Sequence, residues 1–337
     1  MRQSNMELLR IISMLMVVTV HIDGSLGLPH PESMADVSAR DACQLIIEAL
    51  AIIGVNSFTM ISGYFGIRLR VRSVVSYLGQ CMFYAVLIYT LFSIAEPWRF
   101  TLKGWFESWL VLTHTDLWYV PAYFGLMLLS PFLNGGCRCL KKRTFGLLIA
   151  VLLIYNVWAG WWWGGKFNPT GYTLVQLVTV YLTGRYFGMH VNIDGCRRAT
   201  VRLLSAGTYL ISTAATLYLW MLVPEKALAY NSPFVLTATF GLFVFFMSLD
   251  FTSPAVNYIA RSAFAVYLVH KAPQVFVSVF RPLVREWWAS MELWQFALAS
   301  VGFVVAIYLM VMIVDAGRRY AFDAAGLGRR LPGEVVR

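Results

Sequence analysis

Two polar residues in the first apolar stretch of the chain could do chemistry together. Arg10 and His21 are eleven residues apart in a run that is otherwise largely apolar. Eleven residues make about three helical turns, so the two side chains would face the same side of a helix, about 16 Å apart along its axis. An imidazole can act as a general base, and a guanidinium can hold a phosphate. Alternatively, the two residues act separately, Arg10 reaching the inner interface and His21 the outer one.

A carboxylate in the second apolar run is predicted to lie at the depth of His21. Glu48 falls a few residues inside the run 43–65, and a carboxylate there could orient the imidazole and raise its basicity. Glu48 could instead pair with a cation such as Arg40 or reach water. Deeper in the same run, Asn56 is predicted either to line a polar cavity or to be a small packing residue.

Further polar and aromatic residues stand out against their apolar surroundings. His270 and Lys271 fall near the middle of a late apolar run, where ionisable residues are expected to face a cavity. Trp118 and Tyr119 open a span within the apolar run 106–133, and we assign them, with Asn56, His270 and Lys271, to a substrate site. Three arginines after the second run either bind an anionic phosphate or form an ordinary basic inner loop; they are Arg68, Arg70 and Arg72.

The elements that must position these residues are membrane-crossing helices. Apolar residues make up 59% of the 337 residues and charged residues only 13%, whereas a soluble domain has about half and a quarter. The sequence therefore predicts an all-α, polytopic integral membrane bundle of about ten transmembrane helices. A soluble enzyme, a nucleic-acid-binding module and a disulfide-stapled secreted domain fit poorly. The apolar runs fall at 6–23, 43–65, 73–95, 106–133, 144–163, 171–190, 203–223, 233–250, 262–280 and 293–315.

The distribution of basic residues predicts the orientation of the bundle. With ten alternating spans and a cytoplasmic N-terminus, 16 of the 27 lysines and arginines fall on the cytoplasmic side and seven on the other. This bias predicts that both termini are cytoplasmic in a multi-pass protein of the cell membrane. It also accounts for most of the net charge of +10 without a nucleic-acid partner. The five cysteines are scattered and predict no metal site.

Four motifs in this order resemble the membrane-bound acyltransferase-3 family, which includes O-acetyltransferases of bacterial cell-surface glycans. The most specific motif is an arginine and a histidine separated by ten residues in the first span. The chain departs from the family at Asn56, where many members have proline, and keeps in Phe58 one of two expected aromatic residues. The motifs are Arg10 with His21, and the segments 56–65, 118–131 and 264–270.

The resemblance implies transfer of an acyl group, usually acetyl, from cytoplasmic acyl-CoA to a hydroxyl of a glycan or lipid-linked sugar. It makes His21 the catalytic candidate and Arg10 the donor-binding candidate, with Arg68, Arg70 and Arg72 as possible helpers. Acyl-CoA would be a co-substrate, with no permanently bound cofactor. We expect a stand-alone membrane domain at 1–317 and a short basic cytoplasmic tail at 318–337. A transporter or flippase of a sugar-lipid is the alternative, and it would release no free CoA thiol.

Overall fold

The computed structural model describes residues 3–27, 37–193, 195–324 and 326, and this part of the chain is helical, without strands. Short 3-10 turns and two π-helical segments, Asn156–Trp162 and Phe276–Phe280, interrupt or extend the helices. The α-helices are α1 Ser4–Leu26, α2 Ala39–Ala51, α3 Gly54–Phe65, α4 Val71–Ala95, α5 Leu102–Glu107, α6 Tyr119–Cys139, α7 Lys142–Tyr155, α8 Leu174–His190, α9 Arg198–Leu222, α10 Pro224–Ala227, α11 Pro233–Met247, α12 Pro254–Ile259, α13 Ala263–His270, α14 Pro273–Val275, α15 Arg281–Ser290 and α16 Leu293–Ala324.

Several helices begin where the sequence supplies a cap. Ser38 and Asp41 form a reciprocal capping box at the start of α2, and the Thr173 side chain accepts a hydrogen bond from the backbone N–H of Gln176 at the start of α8. Such caps satisfy backbone N–H groups that the first helical turn leaves unpaired. Helix α11 begins at Pro233, a residue that suits the first helical position because its missing N–H costs nothing there.

The length and apolar composition of the helices are those of a helical membrane protein. Each of the ten apolar runs contains helix, but the run 106–133 is non-helical between Glu107 and Tyr119. Within the described ranges, five helices are long and apolar enough to cross a membrane, or six if one bent pair counts as a span. Helices α8 and α11 have only 17 and 15 residues, fewer than the roughly 20 that span a bilayer. Ten spans and cytoplasmic termini therefore stay predictions. The five helices are Ser4–Leu26, Ala39–Phe65, Val71–Ala95, Lys142–Trp162 and Leu293–Ala324.

The bent pair places a break in the middle of a predicted span. The segments Pro254–His270 and Pro273–Ser290 are bent by 65° relative to each other. Pro273 follows the break directly, and a proline cannot donate the backbone hydrogen bond that would continue a helix through it. The break puts His270 and Lys271 at a helix end inside the protein rather than along a continuous helix face.

Helices α3 and α8 pack with their backbones in contact. A β-carbon at Gly63 would lie 2.1 Å from the carbonyl oxygen of Tyr181, and one at Gly184 would lie 2.3 Å from that of Met60. Only glycine allows this approach, and small residues of this kind are typical of helix pairs in membranes. Helix α3 also packs along α1, so that Phe58 of α3 lies beside Arg10 of α1.

The last helix continues past the predicted end of the membrane domain at residue 317. It carries Arg318 and Arg319 of the predicted basic tail and ends at Ala324. Residues 325 and 327–337 of that tail lie outside the described residues.

Candidate active site

A cavity of about 380 Å³ lies between α1, α2, α3, α6 and α13. The loops that precede α6, α8 and α11 also line it. Its volume falls in the range of pockets that hold small ligands, about 300–1,000 Å³. Four residues assigned from the sequence line it together with Glu48: His21, Trp118, Tyr119 and Lys271. The remaining lining residues are Met14, Val17, Val20, Gly24, Val55, Phe58, Asp116, Tyr172, Tyr230, Phe264 and Tyr267.

His21 is held by a second imidazole, that of His270. Nδ1 of His21 lies 2.9 Å from Nε2 of His270, and Nδ1 of His270 lies 2.6 Å from the carbonyl oxygen of Val266. A carbonyl oxygen only accepts, so Nδ1 of His270 must carry a proton and donate it. In a neutral ring, Nε2 of His270 is then an acceptor, and Nδ1–H of His21 donates to it. This series of hydrogen bonds leaves Nε2 of His21 as the unprotonated, basic atom.

Glu48 does not orient His21 as the sequence analysis predicts. The carboxyl groups of Glu48 and Asp23 lie close enough to interact with each other, and His270 takes the position next to His21. Glu48 faces Asp23, which lies two residues after His21 on α1, and it still lines the cavity. Glu48 is only 6% exposed, and its Oε2 has no hydrogen-bond partner among the described residues.

Arg10 lies on the α1 face that is predicted from its spacing with His21, towards the start of the helix. Its guanidinium carbon is 6.0 Å from the centroid of the Phe58 ring, and Phe58 itself lines the cavity. Arg10 also forms an ion pair of 3.4 Å with Glu7. A quarter of the Arg10 side-chain surface remains exposed, so the guanidinium can bind a further anion.

The three arginines after α3 lie at the end of the bundle where α1 begins. Arg68 and Arg70 are exposed in the connection between α3 and α4, and Arg72 is half-buried in the first turn of α4. They fall on the same end as Arg10, because α3 runs antiparallel to α1 beside it. This position suits either use that the sequence allows, as phosphate ligands or as a basic loop.

Asn56 lies behind the cavity wall and not in it, contrary to its assignment to the substrate site. Its Nδ2 donates to the backbone oxygen of Tyr230 at 2.8 Å, and its Oδ1 accepts from Nε2 of Gln176 at 3.1 Å. Its amide group is thus used to hold the loop that carries Tyr230 against α3. His270 does not line the cavity either. It is 1% exposed and contacts His21 from behind the cavity wall.

The sequence analysis does not single out three cavity residues that lie in connections between helices: Asp116, Tyr172 and Tyr230. Asp116 is close enough to Lys271 for electrostatic attraction, and the ammonium of Lys271 lies 3.7 Å from the centroid of Phe276. All three missed residues lie in connections that precede a helix, where polar and aromatic residues are common and no periodic pattern marks them.

For metals, the described part of the chain contains no group of three or more histidine, cysteine, aspartate or glutamate residues that could hold an ion.

Comparison with known proteins tests the family resemblance that the sequence analysis states. No curated protein and no solved structure matches the chain. The family model for an acyltransferase domain, acyltransferase-3, matches residues 3–312. The matched range contains α1 with Arg10 and His21, the cavity, and both halves of the bent pair. Since the match covers nearly the whole chain, this protein belongs to the acyltransferase-3 family of membrane acyltransferases.

Proposed function

We propose that the protein transfers an acyl group, most simply acetyl, from acyl-CoA to a hydroxyl of a glycan or lipid-linked sugar at the cell membrane. The observation that carries this proposal is the hydrogen-bond chain from Val266 through His270 to His21. It leaves a basic nitrogen on a residue that lines a cavity, in a chain of an acyltransferase family. A positioned base of this kind contributes about 10²–10⁴-fold to a rate.

The reaction balances with His21 as the only proton carrier. Nε2 of His21 accepts the proton of the acceptor hydroxyl while the oxygen forms a bond to the thioester carbonyl carbon. The carbon–sulfur bond then breaks, and the sulfur of CoA takes the proton from His21. Ester and free thiol are formed, and the imidazole returns to its starting state. The Nδ1–H bond to His270 stabilises the imidazolium in between, because a ring nitrogen that donates to an acceptor carries positive charge more readily.

The donor is expected to enter from the end of α1 that carries Arg10. The guanidinium of Arg10 would form charge-assisted hydrogen bonds to a phosphate of CoA. Arg68, Arg70 and Arg72 lie at the same end and offer further positive charge. The pantetheine arm would then follow α1 for about 16 Å to His21. The cavity wall next to Arg10 is the ring of Phe58, an apolar surface that suits this arm.

The experiment that tests the proposal is turnover by the purified protein in vesicles. Wild-type protein supplied with labelled acetyl-CoA and surface glycan should release free CoA thiol and label the glycan. His21→Ala should lose at least a hundredfold in both. His190→Ala is the matched control, because His190 packs against Phe145 and Tyr186 away from the cavity. Full transfer by His21→Ala would refute the role of His21, and glycan movement without thiol release would show a flippase instead.

A further inference from the structure

The connection between α3 and α4 is held at one residue by a closed ring of hydrogen bonds from two other helices. The backbone N–H of Ile67 donates to the hydroxyl of Tyr181 on α8 at 3.0 Å. That hydroxyl donates to Oδ1 of Asn134 on α6 at 2.8 Å, and Nδ2 of Asn134 donates to the carbonyl oxygen of Ile67 at 2.8 Å. We call Tyr181 and Asn134 the clamp. It pairs both backbone polar groups of a residue that lies outside any helix.

The clamp is anchored where α3 and α8 pack backbone to backbone. Tyr181 is fully buried, and its own carbonyl oxygen lies against Gly63, where a β-carbon would come within 2.1 Å of it. Ile67 follows Gly63 by four residues, so the same residue of α8 contacts the chain at both points. Ile67 is therefore fixed relative to the helices, whereas loops on a protein surface are usually more mobile than the elements they connect.

The residue before the clamped one is also fixed. Gly66 ends α3 with a φ of 75°, which residues other than glycine rarely adopt. A β-carbon at Gly66 would lie 2.9 Å from a terminal nitrogen of Arg185, and the same guanidinium donates to the carbonyl oxygen of Tyr64 at 3.4 Å. The chain therefore leaves α3 in one direction, with Arg185 against the first residue of the connection.

Positive side chains follow the clamped residue at once. Arg68 and Arg70 are exposed, and Arg72 is half-buried. None of these three arginines, nor Arg185, forms an ion pair with another residue that the structure describes. Because like charges repel, the connection has no charge pairing of its own to hold it, and the clamp supplies the contacts that do. A ligand that complements this connection carries several negative charges.

We propose that the clamp positions the connection between α3 and α4 for the donor. It holds the backbone in place so that Arg68 and Arg70 present their charges to phosphates of acyl-CoA, and the clamp itself does not touch the donor. Ordering the connection in advance lowers the entropy that donor binding costs. Neither clamp residue lines the cavity of the candidate active site, so the clamp should affect donor affinity and not the transfer step. The inference rests on the acyl-CoA donor of the proposed function.

A purely structural role is the competing explanation, and it predicts a different result. A clamp that only stabilises the fold would, when weakened, lower the amount of folded protein and leave the donor affinity of the remainder unchanged. A positioning clamp changes donor affinity, and only for donors that carry phosphates. S-acetylpantetheine separates the two roles, because it has the thioester and the pantetheine arm without a phosphate.

Equilibrium binding of CoA to the full-length protein in detergent, and steady-state transfer in vesicles, test this inference. Tyr181→Phe removes one hydroxyl, and Asn134→Leu removes the amide. Each should weaken CoA binding and raise the KM for acetyl-CoA about three- to tenfold, while kcat and the kcat/KM for S-acetylpantetheine keep their wild-type values. Tyr209→Phe is the matched control, because the Tyr209 hydroxyl donates to the carbonyl oxygen of Leu50 at 2.8 Å, in another part of the bundle.

A double-mutant cycle tests whether the clamp acts through the arginines. Arg68→Ala together with Arg70→Ala should weaken CoA binding, and adding Tyr181→Phe to that chain should weaken it no further. Binding of CoA involves no proton transfer, so the result does not depend on the role of His21 in the reaction.

The outcomes separate this inference from the proposed function. Wild-type protein that binds no CoA overturns the proposed donor, and this inference with it. Binding that both clamp variants leave at wild-type strength overturns the inference alone. The inference is also overturned if Tyr209→Phe weakens CoA binding as much, if S-acetylpantetheine loses as much as acetyl-CoA, or if Tyr181→Phe keeps its full effect in the chain that lacks both arginines.

Discussion

At the scale of single residues, the partner of His21 is another histidine. His270 is 249 residues away in sequence, and its ring is turned by its own bond to Val266 so that an acceptor nitrogen faces His21. A carboxylate would orient the ring in the same way and would add a negative charge beside it. An imidazole orients the ring without that charge.

The histidine pair gives a prediction that separates orientation from simple packing. His270→Leu should lower kcat by about tenfold or more, because the acceptor for Nδ1–H of His21 is lost, while the KM for acyl-CoA stays unchanged. His270→Gln should recover part of the rate, since its amide oxygen can accept the same proton. Steady-state kinetics in vesicles measures both, with His190→Gln as the matched control. Equal losses in the leucine and glutamine variants would contradict the orienting role.

Arg10 gives a second prediction at this scale, on the side of the donor. Arg10→Ala should raise the KM for acyl-CoA about tenfold or more with a smaller change in kcat, because it removes a charge-assisted bond to a phosphate. Arg138→Ala, a change at an exposed arginine on the same predicted side, is the matched control. Competition by adenosine 3′,5′-bisphosphate, which carries phosphates without an acyl group, should weaken in parallel. An unchanged donor KM would mean that Arg10 only anchors α1.

At the scale of elements, the site depends on how closely helices approach one another. Helix α3 lies between α1 and α8, so the position of Phe58 next to Arg10 depends on the α3–α8 contact. Gly184 and Gly188 are four residues apart on α8, and a β-carbon at either would meet a backbone oxygen of α3 at 2.3 Å. This spacing is the small-xxx-small pattern that membrane helices use for close packing.

The glycine contact predicts a specific loss of stability. Gly184→Ala should lower the free energy of unfolding by about 1–3 kcal/mol, because the added methyl group forces α3 and α8 apart. Gly207→Ala is the matched control, since a β-carbon at Gly207 meets nothing within 4 Å, and alanine there should be neutral or stabilising. Unfolding of both variants in mixed detergent micelles measures the difference. Equal stability of the two variants would show that the helices can separate at little cost.

A second contact between elements is ionic and buried. Asp315 of α16 is fully buried and accepts hydrogen bonds from Arg318 and Arg319 of the same helix. It also accepts from Tyr84 of α4 at 3.1 Å and from Ser262 at 3.0 Å. One carboxylate therefore joins the end of α16 to α4 and to the turn before α13, the helix that ends in His270.

Removal of this carboxylate is expected to be costly. Asp315→Ala should lower the free energy of unfolding by about 3–5 kcal/mol, because it leaves Arg318 in a buried site without its partner. Asp250→Ala is the matched control, since Asp250 pairs with Arg198 at 2.8 Å on an exposed surface and should cost less than about 1 kcal/mol. The same unfolding assay serves for both. Similar losses at the two aspartates would contradict the role of burial.

At the scale of the whole molecule, the proposed chemistry requires two different faces. In the proposed reaction, acyl-CoA comes from the cytoplasm, and the acceptor is a cell-surface glycan or a lipid-linked sugar. Arg10 lies near the start of α1, and His21 lies eleven residues further along the helix, in the cavity wall. The predicted orientation, with both termini cytoplasmic, assigns the Arg10 end to the donor side.

Native cysteines test this orientation without altering the fold. Cys139 and Cys196 are exposed and fall in segments that are predicted to be cytoplasmic, after α6 and before α9. A membrane-impermeant maleimide should label both in inverted vesicles and neither in intact cells, as mapped by peptide mass spectrometry. As the control, Lys226→Cys in a Cys139→Ser, Cys196→Ser chain should be labelled from outside. Labelling of Cys139 or Cys196 in intact cells would reverse the orientation.

The sequence by itself determined the class of the protein and one face of its first helix. Apolar runs and caps act over a few residues, so helices and the shared face of Arg10 and His21 follow from local spacing. The family also follows from short motifs, and the family match confirms it.

Only the tertiary structure decided which groups meet. It made His270 and not Glu48 the partner of His21, set Glu48 beside Asp23, and brought the loops with Tyr172 and Tyr230 to the cavity. These contacts depend on helix rotations and on distances of a few ångströms between segments far apart in sequence. A rotation of one residue, about 100°, moves a side chain to another face of a helix, and no local pattern encodes it.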